Sequence, residues 1–257
     1  MKAPNSILNV WKLFDGYPME TLTKAWLYET DRGRRQRPVS EMVDDRLQFG
    51  TSGNCFDLAI WLLHAFETAG IDAYAIGRDL LTPNAHVAVI AMDNGYRYLC
   101  DLGDQWIAPI LIDSASTVFT PQPISGFVTG GRVQVETDCG QTAVIYHRPG
   151  GKTSKQLYDL SRIEDDLLMR AGTASQSLLR HPLCEMRVLV SGEVAHWEFD
   201  SWRSFLGTDT GLADEFPAGS NERWSFRIHD RTGIHLDVIR KALDVYEKYT
   251  SRKEEVE

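Results

Sequence analysis

The sequence predicts an α+β fold in which a helical first region leads into an antiparallel sheet or barrel, followed by a helix and a mixed third region. Three observations carry this reading. Cys55 to Ala69 is apolar on nearly every side, six strand-like segments separated by turn residues lie between 73 and 160, and helical spacing returns at 163–180 and again near the C-terminus. At 257 residues the chain has enough length for a large core, built as one domain or as two to three lobes sharing an interior.

Residues 7–14 and 18–30 space their apolar side chains as helices do, and 39–47 adds a short helix before the break Phe49-Gly50-Thr51-Ser52-Gly53. The stretch from Cys55 is apolar all round, which marks a buried helix, and Gly70 closes it in a C-cap position. Strand patterning follows at 73–78, 86–91, 96–101, 131–137, 142–148 and 155–160. The helix at 163–180 carries Glu164, Asp165 and Asp166 in its first turn, where the helix dipole favours negative charge, and Pro182 follows its end. A hairpin is predicted at 185–199 around Ser191-Gly192. The last helix begins near Thr232, with Ile234, Val238, Ile239, Ala242, Leu243 and Tyr246 along one face, and its charged tail is expected to fray after Tyr249. The stretch at 207–221 is read as the long loop of the chain.

Composition excludes several functions. A net charge of −9 argues against nucleic acid or an anionic membrane surface as partner. No apolar run approaches the roughly 18 residues of a membrane span. The N-terminus lacks the layout of a secretory signal, so the chain is expected to be cytoplasmic. Cys55, Cys100, Cys139 and Cys184 are widely spread and are expected to be reduced thiols. His181-x-x-Cys184 has no second half with suitable spacing, so no metal is expected. The basic cluster Arg32 to Arg37 reads as a solvated loop, with a local anchor for a phosphorylated cosubstrate as the alternative.

Cys55 stands out because it opens the buried helix directly after Gly53-Asn54. Unpaired backbone N–H groups and the positive dipole end stabilise a thiolate there, and the same groups suit an oxyanion. His86 opens the run His-Val-Ala-Val-Ile-Ala-Met, Asp93-Asn94-Gly95 turns the chain, and the return strand ends at Asp101. A two-residue turn places Asp101 diagonally across from His86, and a four-residue loop places it directly opposite. Both keep the pair on one face, where cross-strand Cβ atoms lie roughly 5–8 Å apart, whereas a three-residue loop sends them to opposite faces. A histidine oriented by an aspartate can take a cysteine proton and later pass one to a leaving group. Trp106, just past Asp101, joins Asn54 and Phe56 as the candidates to line a substrate pocket.

These residues resemble the arylamine N-acetyltransferases. The matching stretches are Cys55-Phe56-Asp57 for that family's Cys-Phe-Glu, His86-Val87-Ala88 at a strand start, and Asp101-Leu102-Gly103 for its Asp-Val-Gly, fifteen residues after the histidine. Pro18-Met19-Glu20-Thr21-Leu22 is similar to its Pro-Phe-Glu-Asn-Leu, and order and spacing agree over residues 7 to 110. The resemblance implies a helical bundle over 1–70 carrying the nucleophile, a β-barrel over 71–162 carrying the histidine and aspartate, and an interdomain helix with an α/β lid over 163–257. It implies ping-pong chemistry with Cys55 as nucleophile, His86 as general base and acid, and Asp101 as orienting carboxylate. The implied substrates are acetyl-coenzyme A or another acyl-coenzyme A, as cosubstrate rather than bound cofactor, and an arylamine or hydrazine acceptor.

Two departures narrow this. The family's Arg-Gly-Gly-x-Cys is Thr51-Ser52-Gly53-Asn54-Cys55 here, and Asp104-Gln105-Trp106 stands where Phe-Gly often follows the Asp-x-Gly. Acyl transfer is therefore better supported than acetyl transfer to arylamines. Glu20 is expected to be structural, as a partner for loop N–H groups. The alternatives are an amide synthase or transglutaminase-like hydrolase using the same triad, and a catalytically silent relative.

Overall fold

The computed structural model describes residues 1–138 and 140–254, so Cys139 and the end of the charged tail lie outside the described residues. Helix α1 (Asn5–Trp11) runs into a 3₁₀ turn, Lys12–Phe14, and is followed by the short strand β1 (Met19–Glu20), α2 (Leu22–Leu27), α3 (Val39–Phe49) and α4 (Cys55–Thr68). The helix expected over 18–30 is thus shortened to six residues. Met19 and Glu20 are extended because their backbones pair with Glu185 and Cys184 far along the chain, a partnership local spacing does not reveal.

The middle of the chain forms β2 (Ala73–Arg78), β3 (His86–Asp93), β4 (Tyr96–Cys100), β5 (Ile110–Leu111), β6 (Arg132–Asp138), β7 (Gln141–His147) and β8 (Thr153–Asp159). All six expected strands are present, and the two-residue β5 is additional. They make one antiparallel sheet in the order β5-β4-β3-β2-β8-β7-β6, curled into a half-barrel with β5 and β6 at its edges. Val87, Val89 and Ile90 on β3 are buried, as befits a strand near the middle of the sheet.

Helix α5 (Asp165–Ser177), shorter than expected at both ends, leads to β9 (Leu183–Val190), β10 (Glu193–Asp200), β11 (Arg203–Thr208) and β12 (Gly211–Asp214). These join β1 in a second antiparallel sheet, ordered β1-β9-β10-β11-β12. The long loop expected at 207–221 is therefore largely a misreading. Part of it is β11 and β12, an edge strand with three of its four residues exposed and so without the alternation that betrays a half-buried strand. The segment after it is a helix, α6 (Asn221–Thr232), capped by the Ser220 hydroxyl accepting from Arg223 N–H at 3.3 Å. Gly233, at φ +72°, ends it, so the last helix α7 (Leu236–Glu254) starts later than expected. Among the described residues no helix is long and apolar enough to cross a membrane.

The two cores do not divide where the three regions were expected to. Helices α1 and α4 share one interior with the half-barrel, including Trp11, Phe56, Phe66, Ile90 and Tyr158. Helix α2 belongs instead with α6, α7 and the second sheet, where Leu22 meets Trp197, Phe199, Ile239 and Tyr246. The first seventy residues are thus split between two cores.

Because α4 positions the candidate nucleophile, its anchorage matters. Phe66 is fully buried at its far end. Phe66→Ala is expected to cost about 3–5 kcal/mol through lost transfer free energy and the cavity left behind, read as a lower urea midpoint with an unchanged slope.

Candidate active site

The first turn of α4 is closed by a reciprocal cap. The Asn54 side-chain oxygen accepts from Phe56 N–H at 3.0 Å and Asp57 N–H at 3.3 Å, while Asp57 Oδ2 accepts from Asn54 N–H at 3.1 Å. Asp57 is buried, and donors hold both its oxygens: Gln36 Nε2 at 2.8 Å on Oδ1, and Gln176 Nε2 at 2.9 Å on Oδ2. Arg37 Nη2 lies 3.3 Å from that same Oδ2. The guanidinium also donates to Asp45 at 2.9 Å and to the Ser52 carbonyl at 3.4 Å. The approach to Cys55 lacks its own arginine, and Arg37 brings a guanidinium to the same loop from another segment.

This revises both readings of the basic cluster. Arg32 and Arg35 are tied to Glu41 and Asp45, and Arg37 is only 2% exposed, so three of its arginines are paired with carboxylates while Arg34 stays exposed against Tyr28. On the loop's other side Glu20, fully buried, accepts from Ser52 N–H at 3.3 Å and Gly53 N–H at 2.7 Å, the structural role expected of it. Gly53 sits at φ +101°, and a Cβ there would lie 2.1 Å from Asp57 Oδ2 and 2.7 Å from Arg37 Nη2. Only glycine fits both the conformation and the space.

The hairpin resolves the register question. Asp93 pairs with Tyr96, so Asn94 and Gly95 form a two-residue turn, both at positive φ as a type I′ turn requires. Asp101 follows directly on β4, diagonally across from His86, and their side chains meet at 2.7 Å between Nε2 and Oδ2. Asp101 is fully buried and also accepts from Tyr158 O–H at 2.9 Å and Asp104 N–H at 3.0 Å. Since Nε2 is held by Asp101, Nδ1 is the nitrogen left to face the Cys55 thiol. Gly103 reports how tightly the three converge. A Cβ on it would lie 2.8 Å from Cys55 Cβ, 3.0 Å from His86 Cε1 and 3.2 Å from Asp101 Oδ1.

The electrostatics favour a charged imidazole. Burial lowers the basicity of His86, but the Asp101 carboxylate and its hydrogen bond outweigh that and raise the imidazole well above its usual 6.5. Burial likewise works against ionised Asp101, yet His86 and the hydrogen bonds hold it below the usual 3.8. Asp104, 4.0 Å from His86, is pushed up to about 6 by burial and by the Asp101 charge. Its Oδ2 accepts from Tyr146 O–H at 3.0 Å, and Trp106 Nε1 donates to that hydroxyl oxygen at 3.1 Å.

The three expected pocket residues are placed otherwise than expected. Asn54 is spent on the cap, and Phe56 and Trp106 are fully buried with no face to offer a ligand. The space beside the triad is a cavity of about 590 Å³ that starts at Asp104 and Gln105 and runs between the half-barrel and the second sheet. Asp104, Tyr146 and Tyr158 were not singled out, and only the polar Asp104-Gln105 replacing Phe-Gly hinted at them. Carboxylates and imidazole of His86, Asp101 and Asp104 fall within 4.8 Å of one another, as metal ligands can, but each is engaged in the contacts above. Cys184 is fully buried and His181 lies beside Asp200, so the two do not share a site.

A cysteine at a helix N-terminus, facing a histidine and aspartate from an adjacent antiparallel hairpin, on a half-barrel followed by a second sheet with helices, defines the arylamine N-acetyltransferase fold. The structure is similar over 94% of its length to a cysteine-to-glutamine variant of the Mycobacterium smegmatis arylamine N-acetyltransferase, covering 92% of that chain at 12% identity and a TM-score of 0.71. The Mycobacterium marinum enzyme in complex with CoA matches over 93% of this chain and 90% of its own, with 10% identity and a TM-score of 0.70. An arylamine N-acetyltransferase from Bacillus cereus, described as having a unique Cys-His-Glu catalytic triad, matches over 90% of both chains with 12% identity and a TM-score of 0.62. No family model and no curated protein matches the sequence.

Removing the Arg37 charge strands two buried carboxylates. Arg37→Met is expected to lower stability by about 3–5 kcal/mol, whereas Arg35→Met, an exposed ion pair, is expected to cost under about 1 kcal/mol; urea denaturation of both variants checks the contrast. The His86 and Asp101 pair also has a pH signature. With His86 raised above 6.5, its contribution is complete below that pH and fades as pH climbs through the folded value. With Asp101 held below 3.8, its contribution is present above that pH and disappears on acidification. The melting-temperature gap between the native protein and His86→Gln is therefore expected to be widest between 3.8 and 6.5 and to narrow as the solution is made alkaline. A gap that stays constant with pH refutes the ion pair.

Proposed function

We propose that the protein is an acyltransferase working by a ping-pong route through a thioester on Cys55. The observation that carries this reading is the Asp101–His86 contact at 2.7 Å with Cys55, at the start of α4, converging on the same point beside Gly103. Asp101 fixes the ring and stabilises its charged form, so His86 takes the proton of Cys55 as the sulfur attacks. The carbon–sulfur bond to Cys55 forms as the donor's carbon–sulfur bond breaks, and His86 passes its proton to the departing thiolate. An amine then attacks the Cys55 thioester, His86 takes the proton released from nitrogen, and the amide leaves.

The expected oxyanion site needs narrowing. Phe56 and Asp57 N–H groups are occupied by the Asn54 cap, which leaves the N–H of Cys55 itself as the donor from the first turn. A coenzyme A thioester as donor is supported by the CoA complex of the Mycobacterium marinum protein, and an amine acceptor by the activity that names the similar structures. Asn54, Phe56 and Trp106 act in this reading as supports.

Incubation with acetyl-coenzyme A, or another short acyl-coenzyme A, is expected to add one acyl mass to Cys55, absent in Cys55→Ala. Asp101→Asn is expected to slow acylation by roughly 10²- to 10⁴-fold, since it removes the charge that holds the imidazolium. Intact-protein mass spectrometry reads both, and no adduct with any acyl thioester would sink the assignment.

A further inference from the structure

The cavity beside the triad is walled on its far side by the second sheet, and that wall is charged. Glu185 on β9 and Glu198 on β10 are direct cross-strand partners, an arrangement that repels when both are ionised. His196 lies two residues before Glu198 on the same face, its Nε2 3.2 Å from a Glu185 oxygen but without a hydrogen bond's alignment. The alternate residues point the other way: Trp197 and Phe199 fill the second core. Asp104 adds a third carboxylate from the triad side of the same cavity.

Burial lowers the basicity of His196, but Glu185 and Glu198 raise it above the usual 6.5, so it offsets one of the two charges, and the rest of the surroundings add little. Arg187, paired opposite His196, is turned away to Asp15 at 3.6 Å and the Phe14 carbonyl at 3.3 Å. Arg148 acts on Glu198 and His196 from within the cavity lining, to which Lys152 also belongs, and Arg132 lines the adjoining space. Burial raises the Glu198 carboxyl above its usual value, with Glu185 raising it further. The cavity thus has an acidic part, formed by Asp104, Glu185 and Glu198, and a basic part at Arg148 and Lys152. A sheet that sets two carboxylates face to face beside a cavity is electrostatically unfinished until a cation enters.

We propose that this wall selects the acceptor, and that the acceptor is an amine bearing a second, protonated nitrogen: the ammonium sits against Glu185 and Glu198, and the neutral amine reaches Cys55. The inference rests on the acyl-transfer reading above. In the transfer step the neutral nitrogen attacks the thioester carbonyl, a carbon–nitrogen bond forms, the bond to Cys55 sulfur breaks, and the amine proton goes to His86. The protonated nitrogen takes no part beyond holding the acceptor in line. The basic part around Arg148 and Lys152 disfavours a cation and suits an anionic acyl donor, so the two substrates are sorted by charge within one cavity.

The test compares para-aminobenzylamine, an aniline with a cationic arm, with para-toluidine, its neutral counterpart. With pre-formed acyl-Cys55 protein, kcat/KM for the cationic aniline is expected to exceed that for para-toluidine by about tenfold or more. In Glu185→Gln and Glu198→Gln that ratio is expected to collapse to within about threefold of one. Titration calorimetry of both anilines with the unacylated protein reads the same preference without the chemistry. A native ratio near one, or a ratio that survives both substitutions, overturns the proposal. Failure to form acyl-Cys55 from any donor would instead overturn the acyl-transfer reading, and calorimetry would still decide whether the wall prefers a cation.

Discussion

A carboxylate buried as deeply as Asp57 must have donors on both oxygens, because water is not there to solvate it. Meeting that demand organises everything around Cys55. Gln36 and Arg37 come from the loop before α3, Gln176 from the end of α5, and the backbone of Asn54 from the turn itself. One side chain thus joins the loop before α3, the nucleophile loop and the helix leading to the second sheet. Glu20 does the same on the opposite side of the loop, tying Ser52 and Gly53 to β1 and so to the second sheet. Cys55 is held between two buried acids whose partners are drawn from most of the chain.

The second half of the site depends on the same economy of buried charge. Asp101 is fully buried and is satisfied by His86, Tyr158 and the backbone of Asp104. It is this satisfaction that keeps the carboxyl ionised and the imidazole charged, and the Gly103 backbone leaves room for the three side chains to meet. The site is rigid for a reason: each charged group is fixed by partners that are fixed in turn, which lets the geometry persist without substrate.

The acidic wall contrasts with this. Glu185 and Glu198 are set opposite each other with a partial partner in His196 and a distant one in Arg148. Where His86 and Asp101 are closed by their own hydrogen bonds, the wall is left open.

Much of the site was legible in the sequence. The apolar helix behind Cys55, the Asn94-Gly95 turn and the two-residue side-chain period of strands were enough to bring His86 and Asp101 to one face, because hairpin register is a local property. The six middle strands were readable for the same reason. What local pattern could not supply was partnership between distant segments. Nothing in the spacing of 18–30 announces that Met19 and Glu20 pair with β9, or that Arg37 reaches beneath the nucleophile loop in place of an arginine beside it. Nor did the polar edge strand β12 carry the alternation by which strands are recognised. The sequence by itself determined most of the elements and the meeting of His86 with Asp101, since both rest on periodicity and short-range geometry. Only the tertiary structure decided which core each helix joins, which buried charges pair, and which wall the cavity meets, because those depend on contacts between separate elements, over a hundred positions apart for β1 with β9 and for Asp57 with Gln176.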